Sequence, residues 1–264
     1  MNRSYLGASC LVLTCISSMV FAGPPQYTVI DLGNEEAGQG LVWQPLVSTP
    51  ISYPGLGGTN VSYAANSAAV VGASNIPSNQ SAHAARWVIV TPGEATFTDL
   101  GLLPNAFQFG RDPSSWAYGV NLSGDIVGQS DSQYTEQGGS PYHAPHAFLW
   151  NNGVMTDLSS IAGNGYESAA YSINDSGEIV GWTNTVSSVD GTTLFRAYVY
   201  TGGTMYNLTF YEAGGPQYLL DNAYAIDCQG NIAAIGYPAA SSPPYPRHNY
   251  LLVRQGAART GCVK

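Results

Sequence analysis

Three of the four histidines begin similar pentapeptides, His83-Ala84-Ala85-Arg86-Trp87, His146-Ala147-Phe148-Leu149-Trp150 and His248-Asn249-Tyr250-Leu251-Leu252. Arg196-Ala197-Tyr198-Val199-Tyr200 has the same shape with Arg in place of His. An acid or amide followed by Leu recurs alongside them: Asp31, Asp99, Asp157 and Asn207. Imidazole and carboxylate in company suggest a metal centre or an acid–base pair. A shared zinc ion would need nitrogens about 2.0–2.1 Å away, and these histidines begin equivalent strands of separate repeats. No metal site is expected. His143 and His146 form one His-x-x-His pair on a Pro-flanked stretch, without a third ligand. The Asn174-Asp175-Ser176-Gly177-Glu178 run imitates a calcium loop but lacks the alternating oxygens and the distal bidentate Glu. A hairpin turn explains it, and no cofactor is expected.

Carboxylates in the variable stretches are Glu35, Glu36, Asp112, Glu136, Glu167, Glu212 and Asp221. A glycosidase places two carboxylates some 5–9.5 Å apart across a sugar, and sequence does not say which pair would meet. The chain carries no Gly-x-Ser-x-Gly elbow and no phosphate loop. Non-repeated aromatics give a clearer signal: Trp43, Tyr53, Phe107, Phe109, Tyr134, Tyr142, Tyr166 and Tyr211, with Arg111 and His143 nearby. Rings on a polar, anionic protein suit sugar faces or a protein partner.

These residues are positioned by a repeat. Tyr63, Tyr118, Tyr171 and Tyr224 follow one another at spacings of 55, 53 and 53, each with Asn or Asp three positions later (Asn66, Asn121, Asn174, Asp227). A period near 50 marks one supersecondary unit repeated. The unit reads as strand A with the tyrosine, a tight turn, strand B, a variable loop, strand C beginning with the His or Arg, and strand D ending in the Asp or Asn. Gly124 and Gly177 stand where the A–B turn requires positive φ. The fourth copy ends after strand C, while Val29-Ile30-Asp31-Leu32 is a D strand standing alone before the first copy. The expected fold is all-β: a four-bladed β-propeller of four-stranded blades, the last blade closed by the N-terminal strand 27–33. Closure removes a sheet edge.

Alternating strands put the tight A–B and C–D turns at one end and the long stretches 34–60, 102–115, 129–145, 182–194 and 237–247 at the other. Long loops on a rigid scaffold are where binding resides, so this upper end is the expected functional face. The repeated Tyr, His or Arg, and Asp or Asn are expected to be scaffold. The tyrosines are expected to be buried near the axis, and the histidines and aspartates to brace neighbouring blades as in WD-repeat propellers.

The His146-Ala147-Phe148 run, with Asp157-Leu158 and the Ile173-Asn174-Asp175-Ser176-Gly177-Glu178-Ile179-Val180-Gly181 hairpin, resembles the HAF-repeat family of bacterial extracellular proteins over residues 27–253. Arg196 replaces the His, the first copy is one residue shorter near Ala69, and Ala234 stands where the third copy has Gly181. The resemblance implies export and a repeat fold, with little chemistry.

Residues 1–22 read as a secretory leader: Arg3, an apolar run from Leu11 to Val20, and Val20-Phe21-Ala22 before Gly23. The remainder forms one domain, 23–254, with a tail, 255–264. Eight basic and 17 acidic residues give a net charge of −9, or −10 once Arg3 is removed. Nucleic acid and anionic lipid are excluded as partners, since both need clustered Lys and Arg, and no membrane insertion is expected after cleavage. Cys228 and Cys262, the pair left in an exported chain, are expected to form a disulfide. The sum is a secreted or periplasmic monomer that binds a glycan or a protein. A carbohydrate-active enzyme (glycoside hydrolase or lyase) and a structural envelope protein are the alternatives.

Overall fold

The computed structural model describes residues 24–34, 49–67, 69–77, 81–91, 93–104, 106, 112–134, 142–159, 167–186, 193–210, 218–239, 246–257 and 259. The elements described are strands and one 3-10 turn, Leu208–Phe210. The strands form four antiparallel sheets. The N-terminal strand is β1 (Tyr27–Asn34). The first sheet contains β2 (Thr49–Ile51), β3 (Asn60–Ala65), β4 (Val70–Asn75), β5 (Ala82–Thr91) and β6 (Glu94–Gly101) in sequence order. The second contains β7 (Ser115–Val120), β8 (Ile126–Tyr134), β9 (Tyr142–Asn151) and β10 (Val154–Asp157). The third contains β11 (Ser168–Ile173), β12 (Ile179–Val186), β13 (Thr193–Thr201) and β14 (Thr204–Asn207). In the fourth, β15 (Tyr218–Ile226), β16 (Ile232–Pro238) and β17 (His248–Arg254) are followed by β1 as the outer strand. Tyr27 pairs with Arg254 and Asp31 with Tyr250, so the first strand of the chain completes its last sheet.

Strands B and C run further up than the sequence reading placed them. Residues to Tyr134 and from Tyr142 pair directly, with Tyr134 opposite Tyr142 and Gln133 opposite His143. Tyr142 and His143 are therefore strand residues and not loop residues. In the third sheet the ladder likewise continues to Val186 opposite Thr193.

Apolar residues alternate along the strands, so each sheet offers two faces, and the sheets stack through them. Val71, Ala84 and Leu100 of the first sheet meet Ala117, Ile126 and Phe148 of the second. Val127, Ala147 and Leu158 of the second meet Ala170, Ile179 and Tyr198 of the third. Val180, Val199 and Leu208 of the third meet Leu220, Ala234, Tyr250 and Leu252 of the fourth, with Tyr27. The three junctions use equivalent positions, as a repeat requires.

Candidate functional site

The tyrosines occupy a local irregularity that sequence reasoning missed. In each first strand the ladder slips by one residue at the tyrosine. Ser62 pairs with Gly72 and Ala64 with Val71, leaving Tyr63 out of register. Tyr118, Tyr171 and Tyr224 fall at the same slip in β7, β11 and β15. A β-bulge re-aims the side chain it carries, and here the four rings form a chain. Centroids lie 5.2 Å apart for Tyr63–Tyr118, 5.7 Å for Tyr118–Tyr171 and 5.3 Å for Tyr171–Tyr224. All four are more than half buried. None of the four rings belongs to the apolar junctions between sheets. Trp182 Nε1 donates to the Tyr171 hydroxyl at 2.9 Å. Burial pushes the phenols of Tyr63, Tyr118 and Tyr171 above their ordinary range, so all stay protonated donors.

Each bulge has a glycine facing it in three of the sheets. A Cβ on Gly72, Gly128 or Gly181 would lie 1.9 Å from the carbonyl oxygen of Val61, Trp116 or Ala169. The residue after the tyrosine is small for a different reason: a Cβ on Gly119 would sit 3.1 Å from the Tyr171 carbonyl of the next sheet.

The histidines brace within their own sheets, which corrects the expected brace between blades. His83 Nδ1 donates to Asp99 at 2.9 Å, His146 Nδ1 to Asp157 at 2.8 Å and His248 Nδ1 to Asp31 at 2.7 Å. In each case the Asp lies on the strand next to the His, because the two positions are diagonal neighbours of one ladder. Asp99 and Asp157 also accept from the N–H groups of Gly101 and Ser159, fixing the exit from strand D. In the third sheet Asn207 accepts from the Thr209 N–H while Arg196 donates to the Phe195 carbonyl.

Among the residues that connect sheets at this end are serines three positions before the tyrosine. Ser115 Oγ accepts from the Ala84 N–H and Ser168 Oγ from the Ala147 N–H, both at 2.8 Å. Aligning the repeats on tyrosine would have exposed this position, occupied by Asn60, Ser115, Ser168 and Asp221. It breaks down in the fourth sheet, where Asp221 forms an ion pair with Arg247.

At the lower end, Glu178 is buried and accepts from Asn174, Arg254 and Arg259. Burial alone would raise its pKa, but the bonds from Arg259, Asn174 and Arg254 outweigh it and hold the carboxyl at about 2. Arg259 is also held through its main chain, with its N–H donating to Gln229 Oε1 at 2.7 Å and its carbonyl accepting from Gln229 Nε2 at 3.1 Å.

Of the other binding candidates, Tyr53 is half-buried and its carbonyl accepts from Asn60 Nδ2 at 2.6 Å. Trp43, Phe107, Phe109, Arg111, Tyr166, Tyr211 and Cys262 lie outside the described residues, as do the leader and Glu35, Glu36, Glu136 and Glu212. Glu167 is held by Asn184, which donates from Nδ2 to Oε2 at 3.2 Å. Among the described residues no group of three His, Cys, Asp or Glu could hold a metal ion, and no helix is long and apolar enough to cross a membrane. No protein-family model matches the chain, and none of the curated proteins or solved structures compared with it does.

Proposed function

We propose that the four sheets are the blades of an exported four-bladed β-propeller of the HAF-repeat kind, closed by Tyr27–Asn34, and that it works as a binding module through its upper end. The observation that carries the ring is burial at the two outer faces. On the fourth sheet Ala233, Ile235 and Asn249 point away from the third sheet, yet all are buried. On the first sheet Ala85 and Trp87 point away from the second and are buried too. Trp87 Nε1 donates to the Pro54 carbonyl at 2.7 Å, so the segment before β3 covers part of this face. A ring that brings the first and fourth sheets together accounts for the rest.

The binding reading follows from where the copies diverge. Lower-end turns repeat closely, whereas the upper end carries long unlike segments and the changes at Asp221, Arg247 and Asn249. Function is grafted onto a scaffold at such departures. Glu167 and Asp221, the two acids once considered for catalysis that the third and fourth sheets carry, are engaged by Asn184 and Arg247. That favours binding over glycoside hydrolysis. A Cys228–Cys262 disulfide belongs to the same proposal, supported by Gln229 holding Arg259 beside the turn that bears Cys228.

A glycan array probed with the secreted chain, followed by hydrolysis assays on the hits, tests the reading. Binding without turnover supports the module. Turnover of a bound glycan would replace it with the enzyme. Deleting residues 23–34 tests closure, with aggregation or a large fall in Tm expected; an equally stable monomer would exclude it.

A further inference from the structure

Three features of the third sheet have no counterpart in the other sheets, and they meet toward its upper end. The residue before strand C is Ala82, Pro145 and Arg247 elsewhere but Phe195 here. The residue after Gly72, Gly128 and Ala234 is Ala73, Gln129 and Ile235, whereas Gly181 is followed by Trp182. The His–Asp brace of the other sheets is replaced at both of its positions, by Arg196 and Asn207. The scaffold is built without these residues three times over and does not require them.

Trp182 and Phe195 form a platform. Trp182 pairs with Ala197, two residues from Phe195, so both rings leave the same face of the sheet. Their centroids lie 5.3 Å apart. Trp182 is half-buried, with Nε1 fixed on the Tyr171 hydroxyl at 2.9 Å, whereas Phe195 is 45% exposed. A ring held from behind and open in front suits the apolar face of a sugar.

Arg196 supplies an unbalanced charge. In the other sheets the strand-C imidazole donates to a carboxylate, but here the acid has become an amide whose oxygen accepts from the Thr209 N–H. Among the described residues no carboxylate reaches the guanidinium. Arg196 leaves β13 from the face opposite Phe195. Its Nη1 nevertheless donates to the Phe195 carbonyl at 2.7 Å, which holds the group against the strand that carries the ring. Nε and Nη2 remain, the fork that grips a carboxylate.

Glu167 limits the charge of the ligand. Asn184 lies opposite Phe195 in the ladder and donates to Glu167 Oε2 at 3.2 Å. A second negative group on the ligand would meet this carboxylate, whereas a hydroxyl donates to it. Phosphate, sulfated chains and acidic peptides are disfavoured on that ground.

We propose that the upper end of the third sheet binds one residue of a uronic acid, its ring face on Phe195 and its carboxylate on Arg196. The proposal rests on the binding-module reading and assigns that module a ligand class and a place.

The test uses the mature chain, residues 23–264. Glucuronate and galacturonate are titrated by saturation-transfer NMR beside glucose, acetate and triglutamate, and Tm is recorded. At least one uronate should bind about tenfold more tightly than glucose or acetate, the worth of one charge-assisted bond. Arg196→His with Asn207→Asp restores the brace of the other sheets, so Tm should hold or rise while the preference for uronate disappears. Arg196→Gln should remove the preference as well, and it decides the matter if the double variant does not fold. Phe195→Ala should weaken uronate and glucose alike. The proposal is overturned if no uronate binds, if acetate or triglutamate binds as tightly, or if uronate binding survives Arg196→Gln or Phe195→Ala unchanged. Glycan-array hits without a uronate among them would overturn this proposal alone; an array without hits would remove the binding module too.

Discussion

The side-chain amide of Asn174 donates to the main-chain carbonyl of Asp227, 53 residues further on, at 3.0 Å. Asn66 does the same to Val120 at 3.1 Å and Asn121 to Asn174 at 3.3 Å. The repeated asparagine thus has two duties. It closes its own turn, accepting in the third sheet from the Glu178 N–H at 3.0 Å, and it ties that turn to the next sheet. Asp227 holds the fourth position. A carboxylate cannot donate to a carbonyl, and Asp227 accepts from Asn231 instead.

Asn174→Asp should be more destabilising than Asn121→Ala. The alanine variant loses a buried bond between sheets and removes the acceptor of the Asp125 N–H, costing on the order of 1–3 kcal/mol. The aspartate loses the equivalent bond to the Asp227 carbonyl and adds a negative charge beside Glu178. Urea unfolding of the two variants checks the order, and an Asn174→Asp protein as stable as the parent would contradict it.

Acid should weaken the junction between the third and fourth sheets. With its folded-state pKa depressed to about 2 from the ordinary 4.5, Glu178 contributes stability that is present above about 4.5 and lost as pH falls toward 2. The shift corresponds to about 3 kcal/mol at most. Glu178→Gln should lower Tm at pH 7 and flatten its dependence on pH between 4.5 and 2. An unchanged slope in that window would show that other carboxylates control acid unfolding.

His83 should titrate above 6.5 in the folded protein. Its bond to Asp99 raises the pKa, burial opposes that, and the charge of Asp99 adds to the rise. The stabilisation is fully present below about 6.5 and is lost as pH rises through the folded value. Asp99→Asn should bring the imidazole down again. An NMR titration that finds the parent's His83 at or below 6.5 would refute the coupling.

Gly181→Ala should destabilise, because its Cβ would overlap the Ala169 carbonyl. Backbone must move to make room, at about 1–3 kcal/mol. The fourth sheet shows what accommodation takes: Ala234 occupies this register opposite Ala223, and the close approach has moved to Gly236, whose Cβ would lie 2.3 Å from the Leu219 carbonyl beside the second bulge. Thermal unfolding of Gly181→Ala is the measurement, and a neutral result would mean that the bulge in β11 relaxes freely.

The sequence by itself determined the period, the strands and the turns. Spacing of the tyrosines reports chain length per unit, alternation reports faces, and Gly124 and Gly177 report positive φ, observed at 84° and 75°. The orphan D strand was legible for the same reason, since its pattern matches Asp99 and Asp157. Only the tertiary structure decided what the repeated polar residues do. A bulge inserts one residue without altering the pattern, so nothing in the chain said that each tyrosine leaves its ladder. Whether His146 would reach a neighbouring sheet or Asp157 beside it depended on a diagonal of the ladder that register alone sets. The burial of Asp221 and Asn249 was decided by the tertiary structure too, because an Asp in a loop and an Asn in a strand are ordinarily solvated.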